Sequence, residues 1–239
     1  MKINDRLKMI GDLVEANSFC LDVGCDHAFL DIYLVKRKDN IRAIASDIAE
    51  GPVEAAKENI KAIASDIAEG PVKQAKENIK REGLEDKIEV RLGNGLDTYS
   101  DEIDTVIISG MGGRNMIGIF KNNMAVLKKI KTIIISPNNY QIDIKTFLTK
   151  NGFYIDDEEL VKDKKFIYQI IKFKRGKKHY SKREYFFGPI LLQKKGGLFE
   201  EYYKREKLSR EILVSILPKN YRYKKFITRR EIKMIEEEL

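Results

Sequence analysis

The chain has 239 residues, of which 43% are hydrophobic, and it carries a formal net charge of +8. This length suits one α/β domain with a smaller appended one, and the apolar fraction is enough for a sizeable core. The sequence has no run of about 18 apolar residues, so no membrane span is predicted, and its start lacks the apolar stretch of a signal peptide. Two cysteines (Cys20 and Cys25) and two histidines make a disulfide framework and a zinc site improbable. We therefore expect a cytoplasmic protein without a metal or a membrane anchor.

The positive charge is concentrated near the end of the chain. Residues 161–239 contain 23 Lys and Arg against 10 Asp and Glu, whereas residues 1–160 contain 22 against 27. A solvated surface is the ordinary explanation for excess charge. An asymmetry this sharp, with tyrosines and phenylalanines among the basic residues, favours a polyanionic partner and above all a nucleic acid.

In chain order, an amphipathic helix is followed by short apolar runs that alternate with helical patterns. Five of these runs have apolar stretches that predict parallel strands buried in a sheet, and helices between them complete right-handed crossovers. Two later runs predict a terminal antiparallel hairpin. The predicted elements are helices at 3–16, 27–37 and 141–150, strands at 19–23, 41–46, 87–92, 104–109 and 131–136, and hairpin strands at 153–161 and 166–174.

The texture of the sequence changes after residue 176. Residues 176–180 form a basic linker, and helical patterns at 198–217 and 222–238 flank Pro218, which predicts a helical hairpin. The expected domains are therefore residues 1–176 and 177–239. We expect the apolar stripes of the two helices to pack against each other; they consist of Leu198, Tyr202, Leu208, Ile212 and Ile216, and of Phe226, Ile227, Ile232 and Ile235.

A tandem duplication interrupts the first domain. Residues 43–61 and 62–80 are identical except at Glu54/Lys73 and Ala55/Gln74. Either copy alone supplies a strand, an acid and a helix, so one copy is surplus. We predict that the first copy forms the strand ending at Asp47, and that the second prolongs the helix to about Glu69, before a break at Gly70-Pro71. The alternative uses Asp66 and loops out the first copy.

The segment Phe19–Leu30 joins an apolar strand to a helix through a turn at Gly24, with Asp22 near the strand end. This arrangement is how α/β folds build small-molecule sites. A dinucleotide fingerprint requires further glycines for the pyrophosphate, yet Asp26 and Ala28 stand where they would be. An acidic turn instead tolerates the ammonium and sulfonium groups of S-adenosylmethionine.

The next two strand ends carry groups that suit the nucleoside part of such a cofactor. Asp47 could accept hydrogen bonds from both ribose hydroxyls, although a helix N-cap is the ordinary role of such an aspartate. Asn94 could pair with an adenine edge, and the glycines beside it, including Gly95, allow a close backbone approach. Read alone, that segment is almost equally well explained as a plain turn.

The fourth and fifth strand ends are Ser109-Gly-Met-Gly-Gly113 and Ser136-Pro-Asn-Asn139. Each is an ordinary loop if it is read alone. Because the carboxyl ends of parallel strands meet at one edge of the sheet, the five ends together predict one continuous site. The sequence shows no Ser-His-Asp set, and the transfer of a methyl group from S-adenosylmethionine to a nucleobase nitrogen with a free lone pair does not need one. His27 and Asp26 could help to hold the base, although a helix-start histidine without a catalytic role is as good an interpretation of His27.

Four motifs together resemble the TrmK family: Asp22-Val-Gly-Cys-Asp-His-Ala-Phe-Leu30, Ser109-Gly-Met-Gly-Gly113, Ser136-Pro-Asn138 and Phe187-Gly-Pro-Ile-Leu-Leu192. The resemblance covers nearly the whole chain. It implies a bacterial S-adenosylmethionine-dependent methyltransferase that acts on N1 of adenine 22 in tRNA, with a C-terminal coiled-coil-like domain that helps to bind tRNA. The chain departs from the family at Cys25, where Ser is common, at Asp31, where Pro is common, and at Asn94, where Asp is frequent.

The sequence thus predicts an α/β, class I methyltransferase (Rossmann-like) fold, with a mostly parallel seven-stranded sheet and a C-terminal helical hairpin. Alternatives are a non-catalytic RNA-binding protein that retains the fold, a nicotinamide-dependent oxidoreductase, and a DNA or protein methyltransferase. The oligomeric state stays open. The expected cofactor-binding residues are Asp22, Gly24, Cys25, Asp47, Asn94, Gly95, Ser109 and Gly110; those around the target base are Asp26, His27, Met111, Gly112, Pro137 and Asn138; and those contacting phosphates are Lys177, Lys178, Lys182, Arg183, Arg222, Lys224, Lys225, Arg229 and Arg230.

Overall fold

The computed structural model describes residues 3–38, 40–47 and 64–239. Contacts between Cα atoms divide the chain into two units, Met1–His179 and Tyr180–Leu239. This division lies three residues beyond residue 176, where the basic linker in the sequence predicts the domain boundary. Each unit has its own buried residues.

The first unit is built on a seven-stranded sheet with the strand order β3-β2-β1-β4-β5-β7-β6. The first five strands are parallel, and β7 runs antiparallel to both β5 and β6. The predicted mostly parallel sheet with a terminal hairpin is therefore confirmed. The strands are β1 (Phe19–Val23), β2 (Arg42–Asp47), β3 (Ile88–Leu92), β4 (Thr105–Ser109), β5 (Thr132–Ser136), β6 (Phe153–Asp163) and β7 (Phe166–Arg175).

Helices flank these strands in chain order, and a short 3₁₀ turn, Asp26–Ala28, precedes the second helix. None of the helices in the described residues is long and apolar enough to cross a membrane. The predicted helices are present, with bounds that differ by a few residues. The helices are α1 (Asp5–Leu13), α2 (Phe29–Arg37), α3 (Ala64–Arg81), α4 (Gly113–Asn122), α5 (Met124–Leu127), α6 (Gln141–Lys150), α7 (Lys182–Phe187), α8 (Leu191–Lys194), α9 (Gly197–Ile216) and α10 (Arg222–Glu238).

The central strands are buried on both faces, which explains their continuous apolar runs. Leu21, Ile107 and Ile134 are all fully buried.

A buried ion pair joins α6 to β6. Lys145 Nζ of α6 is 3.5 Å from Glu158 Oε1 of β6, and both side chains are inaccessible to solvent. Burial lowers the pKa of Lys145, and the neighbouring Glu158 opposes that shift.

The two copies of the duplication adopt different structures. The first copy forms β2 up to Asp47, as predicted, while its remainder, residues 48–61, lies outside the described residues. The second copy begins α3, which runs without interruption from Ala64 to Arg81. The predicted break at Gly70-Pro71 is therefore wrong. Ala75 and Ile79 of α3 are buried in the core, so tertiary packing rather than local propensity governs this helix.

The second unit contains α7 to α10. Residues 182–187 form α7 because Ser181 and Glu184 make a reciprocal capping box, a signal that the sequence analysis missed. Helices α9 and α10 run antiparallel, since Arg210 of α9 pairs with Glu231 of α10 at 2.9 Å, and Lys207 pairs with Glu236 at 2.8 Å.

The expected mutual packing of the helical stripes is wrong in part. Leu208, Ile212 and Ile216 are 52–71% exposed, and Phe226 is 55% exposed. The two helices contact each other through a face of α9 that includes Arg210, which pairs with Glu231 of α10. Leu208, Ile212 and Ile216 are four residues apart and therefore share another face of α9, away from this contact.

Candidate active site

The turn that follows β1 is bonded to the end of β2. The backbone N–H groups of Gly24 and Cys25 both donate to the carbonyl oxygen of Ser46, at 2.8 and 3.1 Å. Ser46 directly precedes Asp47, so the last residue of β2 lies beside the Gly24 turn. Asp66, its counterpart in the second copy, lies instead in the first turn of α3. The structure therefore agrees with the first of the two interpretations of the duplication.

The 3₁₀ turn contains two consecutive residues in the left-handed region. His27 has φ 68° and Ala28 has φ 59°, a conformation that residues with a side chain rarely adopt and that concentrates at functional sites. The side-chain amide of Asn78 in α3 donates to the carbonyl oxygen of His27 at 3.0 Å. The second copy of the duplication thus helps to hold this turn, because Asn78 belongs to it.

A cavity of about 340 Å³ opens at the carboxyl ends of β1 and β4. The carboxylate of Asp22 is almost completely buried there. Gly24, at φ +74°, faces the Met111 methyl group, which would lie 3.4 Å from a Cβ at that position. The cavity is lined by Asn4, Arg6, Leu7, Asp22, Gly24, Cys25, Ser109, Gly110 and Met111.

The loops after β4 and β5 form one bonded unit. The backbone N–H of Asn138 donates to Met111 O at 3.0 Å, and its side-chain amide donates to Gly110 O at 2.6 Å. Gly110 N–H in turn donates to Ser136 O at 3.3 Å. Pro137, which lies between Ser136 and Asn138 in the sequence, is buried, whereas Asn138 is exposed. These bonds bring Met111, Pro137 and Asn138 together, as the sequence analysis predicts.

The glycines after Met111 allow this close approach. A Cβ at Gly113 would lie 2.8 Å from the backbone oxygens of both Asn139 and Tyr140, and a Cβ at Gly112 would lie 2.8 Å from Asn139 Oδ1. Backbone oxygens cannot move aside as a flexible side chain can, so Gly113 is required for the contact between the two loops.

The end of β3 lies next to Asp47 but outside that cavity. Gly93 N–H donates to Asp47 O at 3.1 Å, which fixes the start of the loop that carries Asn94. Asn94 is exposed, and Gly95 is buried at φ +61° against Ile119 of α4. Neither Asn94 nor Gly95 lines the cavity.

Arg6 is a cavity residue that the sequence analysis missed. Its Nε donates to Ser136 Oγ at 3.0 Å and its Nη2 donates to Ser136 O at 2.5 Å. The guanidinium also lies 4.2 Å from the centre of the Tyr168 ring, and burial lowers the pKa of Arg6. No local motif marks Arg6, because it is one polar position of an amphipathic helix and only the packing of α1 brings it to the cavity.

Both cysteines are buried and free. Burial raises the pKa of the Cys25 thiol and of the Cys20 thiol, so both are neutral at physiological pH. Cys25 therefore contributes its small size and its backbone N–H to the turn. Among the described residues, no group of three or more His, Cys, Asp and Glu side chains is arranged to hold a metal ion.

Comparison with known proteins identifies the family. The profile of the TrmK family, described as tRNA (adenine(22)-N(1))-methyltransferase, matches residues 60–237, and a general methyltransferase domain profile matches residues 3–62. The chain belongs to the TrmK family. The family and the class I methyltransferase fold that the motifs predict are thereby confirmed.

Individual members of the TrmK family agree over almost the whole chain. The tRNA (adenine(22)-N(1))-methyltransferase of Bacillus subtilis is 25% identical over 213 residues, which cover 86% of this chain and 82% of that protein. A proposed tRNA (m1A22) methyltransferase of Streptococcus pneumoniae, solved with S-adenosyl-L-methionine, is 28% identical and covers all of both chains with a TM-score of 0.83. TrmK of Mycoplasma capricolum, solved with S-adenosyl-homocysteine, is 24% identical, covers 99% of this chain and 97% of its own with a TM-score of 0.79, and supports the fold.

The basic residues that the sequence analysis assigns to phosphate contacts differ in their surroundings. Lys177 and Lys178 are exposed at the end of the first unit, after β7. In the second unit, Arg183 of α7 is already paired with Glu238 at 2.5 Å. Its neighbour Lys182 is exposed. The assigned cations of α10 are mostly exposed: they are Arg222, Lys224, Lys225, Arg229 and Arg230, of which Lys225 is half-buried.

Proposed function

We propose that this chain binds S-adenosylmethionine beside the Gly24 turn and transfers its methyl group to N1 of adenine 22 in tRNA, leaving S-adenosylhomocysteine. The observation that carries the proposal is the pair of hydrogen bonds from Gly24 and Cys25 to Ser46. They bring the ends of β1 and β2, and hence Asp22 and Asp47, to one side of the sheet. The cytoplasm is the proposed compartment, in keeping with two free cysteines.

Two residues of the cavity, Asp22 and Arg6, and three at the neighbouring strand ends, Asp47, Asn94 and Gly95, fit this cofactor chemically. Asp22 offers a buried carboxylate to a cationic ammonium group, and Arg6 offers a guanidinium to a carboxylate. Asp47, at the end of β2, suits the two ribose hydroxyls. Asn94 and Gly95 follow Gly93, which is bonded to Asp47, and therefore suit the adenine portion of the same molecule.

The bonded loops after β4 and β5 suit the target base. Asn138 uses its side-chain N–H on Gly110 O, which leaves the carboxamide oxygen to accept from the exocyclic amino group of adenine. Met111, which is half-buried, offers apolar surface to the ring, whereas the buried Pro137 supports the loop that carries Asn138. We assign Asp26 and His27, in the 3₁₀ turn, to the border of the same site. The bound cofactor supplies an electrophilic methyl group on a sulfonium. The adenine N1 lone pair needs no general base, so the residues contribute orientation and exclusion of water.

The test of the cofactor site uses the duplication as its own control. Asp47→Ala removes a carboxylate that accepts from two hydroxyls, and we expect S-adenosylmethionine to bind about 10- to 100-fold more weakly in calorimetry. Asp66→Ala changes the same residue in an almost identical local sequence and should leave the affinity unchanged. Equal effects of the two substitutions, or no effect of either, would remove Asp47 from the site.

The test of the reaction is the transfer of labelled methyl to unmodified tRNA, followed by mapping of the modified nucleoside. We expect 1-methyladenosine at position 22. A folded protein that binds tRNA but neither binds S-adenosylmethionine nor transfers methyl would instead be the non-catalytic RNA-binding alternative.

A further inference from the structure

The part of the α9–α10 hairpin around its turn carries an unusual concentration of exposed apolar side chains. Ten large hydrophobic residues are more than a third exposed in the described part of the chain, and six of them lie between positions 208 and 226. Such a cluster on a small domain marks an interaction surface. The exposed fractions are Leu208 57%, Ile212 52%, Ile216 71%, Tyr221 49%, Tyr223 78% and Phe226 55%.

The aromatic members of this cluster alternate with cations. The segment Tyr221–Phe226 reads Tyr-Arg-Tyr-Lys-Lys-Phe, and Arg229 and Arg230 follow one turn later. We call Tyr221, Tyr223 and Phe226 the hairpin tip. Arg230 lies 5.8 Å from the centre of the Phe226 ring, so charge and aromatic surface are also adjacent in space.

The charges of the hairpin divide sharply along its length. Away from the tip, cations are neutralised within the hairpin, as in Arg210 with Glu206 and Glu231, and Lys233 with Glu237. Within the described residues, no carboxylate lies within salt-bridge distance of Arg222, Lys224, Lys225, Arg229 or Arg230. The tip is therefore an aromatic surface surrounded by uncompensated positive charge.

This combination decides between possible occupants. Two copies of the chain that met tip to tip would bring two uncompensated cationic surfaces together, which is unfavourable. A nucleic acid offers phosphates to the cations and flat bases to the aromatic rings, and unpaired RNA bases commonly stack on Tyr and Phe. Folded RNA has such bases in its loops.

We propose that the hairpin tip stacks on unpaired nucleobases of the tRNA substrate, while Arg222, Lys224 and Arg229 contact the neighbouring phosphates. This inference rests on the proposed function, since it names a recognition surface for the same substrate. It adds an interaction that does not depend on charge to a domain whose composition alone indicates phosphate contacts.

The two kinds of contact respond differently to salt, and this difference is the test. Affinity for unmodified tRNA is measured at several salt concentrations for the wild type, for Tyr223→Ala/Phe226→Ala, and for Lys224→Ala/Arg229→Ala. The aromatic variant should bind about tenfold or more weakly at every salt concentration, with an unchanged slope of log affinity against log salt. The charge variant should lose about one unit of slope for each cation removed.

Two controls make the comparison specific. Phe166→Ala removes an aromatic residue that is 54% exposed in the first unit and also lies near a lysine, so it should leave tRNA affinity unchanged. Tyr223→Phe keeps the ring and should retain wild-type affinity. S-adenosylmethionine affinity, measured by calorimetry, should be the same for all variants, because the altered residues are exposed and outside the cavity.

Wild-type tRNA affinity in the aromatic variant would overturn the inference while leaving the proposed function intact, provided that the wild type methylates tRNA. The inference would also be overturned if the aromatic variant changed only the sedimentation of the protein, or only its binding to phosphatidylserine vesicles. Failure of the wild type to bind or methylate tRNA at all would instead contradict the proposed function.

Discussion

Arg6 brings positive charge to a cavity whose other lining residues, within the described part of the chain, are neutral or acidic. If it receives the cofactor carboxylate, Arg6→Ala should raise the KM for S-adenosylmethionine about tenfold or more, and Arg6→Lys should recover part of this loss because the charge is kept. The KM for tRNA should not change. Arg6 also holds Ser136, at the root of the Asn138 loop. A rise in both KM values, with a lower melting temperature for both variants, would mean that its role is only to position that loop.

Asp31 is an ionisable residue that lies in the apolar interior of the first unit. Its side chain is fully buried in the first turn of α2, and neither carboxyl oxygen has a hydrogen-bond partner among the residues that the structure describes. Burial raises the pKa of Asp31 to about 7.

The raised pKa predicts how stability depends on pH. In the unfolded chain Asp31 ionises near pH 4, whereas in the folded chain it keeps its proton until about pH 7. Between these values the folded state binds the extra proton, so the free energy of unfolding falls as pH rises and is lowest above pH 7. Asp31→Leu removes this term, and we expect a melting temperature several degrees above wild type at pH 8 and a much smaller difference at pH 5. A constant difference across that range in thermal circular dichroism would contradict the prediction.

At the scale of elements, the duplication shows how the same local sequence adopts different secondary structures in different tertiary surroundings. Ala45-Ser46-Asp47 closes β2, while the identical Ala64-Ser65-Asp66 opens α3. No propensity scale can assign two structures to one segment. The first copy is a strand because β1 and β3 pair with it on both sides, which buries four consecutive residues, Ala43 to Ser46, within the sheet.

The predictions from sequence succeeded where the periodic pattern reports burial directly. The strands of the parallel sheet were located to within one or two residues, and the loops at their carboxyl ends follow from that placement. The sequence could not reveal Arg6, because its approach to Ser136 depends on how α1 packs. It also misassigned the α9 stripe of Leu208, Ile212 and Ile216, because apolar spacing shows that residues share a face but not what covers the face.

At the scale of the molecule, the duplication lies where the two family profiles meet, since one ends at residue 62 and the other begins at residue 60. In the structure, the first copy supplies most of β2 and the second copy supplies most of α3. Asn78 of the second copy bonds to His27 beside the proposed cofactor site. Both copies thus contribute residues beside the proposed site, although the sequence of either copy alone could supply a strand, an acid and a helix.

This redundancy predicts the effect of deleting residues 43–61. Arg42 would then be followed by Ala62, and the remaining copy would read Ala-Ile-Ala-Ser-Asp66 in the position of β2, with Asn78 and the buried part of α3 retained. Because removing residues from a long connection changes the closure entropy only slightly, we expect the shortened chain to fold and to bind S-adenosylmethionine with wild-type affinity.

The decisive measurement asks whether Asp66 takes over the role of Asp47 in S-adenosylmethionine binding when the first copy is deleted. In the shortened chain Asp66→Ala should weaken S-adenosylmethionine binding about 10- to 100-fold, whereas the same substitution in the full chain should have no effect. Calorimetry on the four proteins gives the comparison, with circular dichroism to establish that each is folded. If Asp66→Ala is silent in a shortened chain that still binds the cofactor, the acid at the end of the second strand does not hold the ribose.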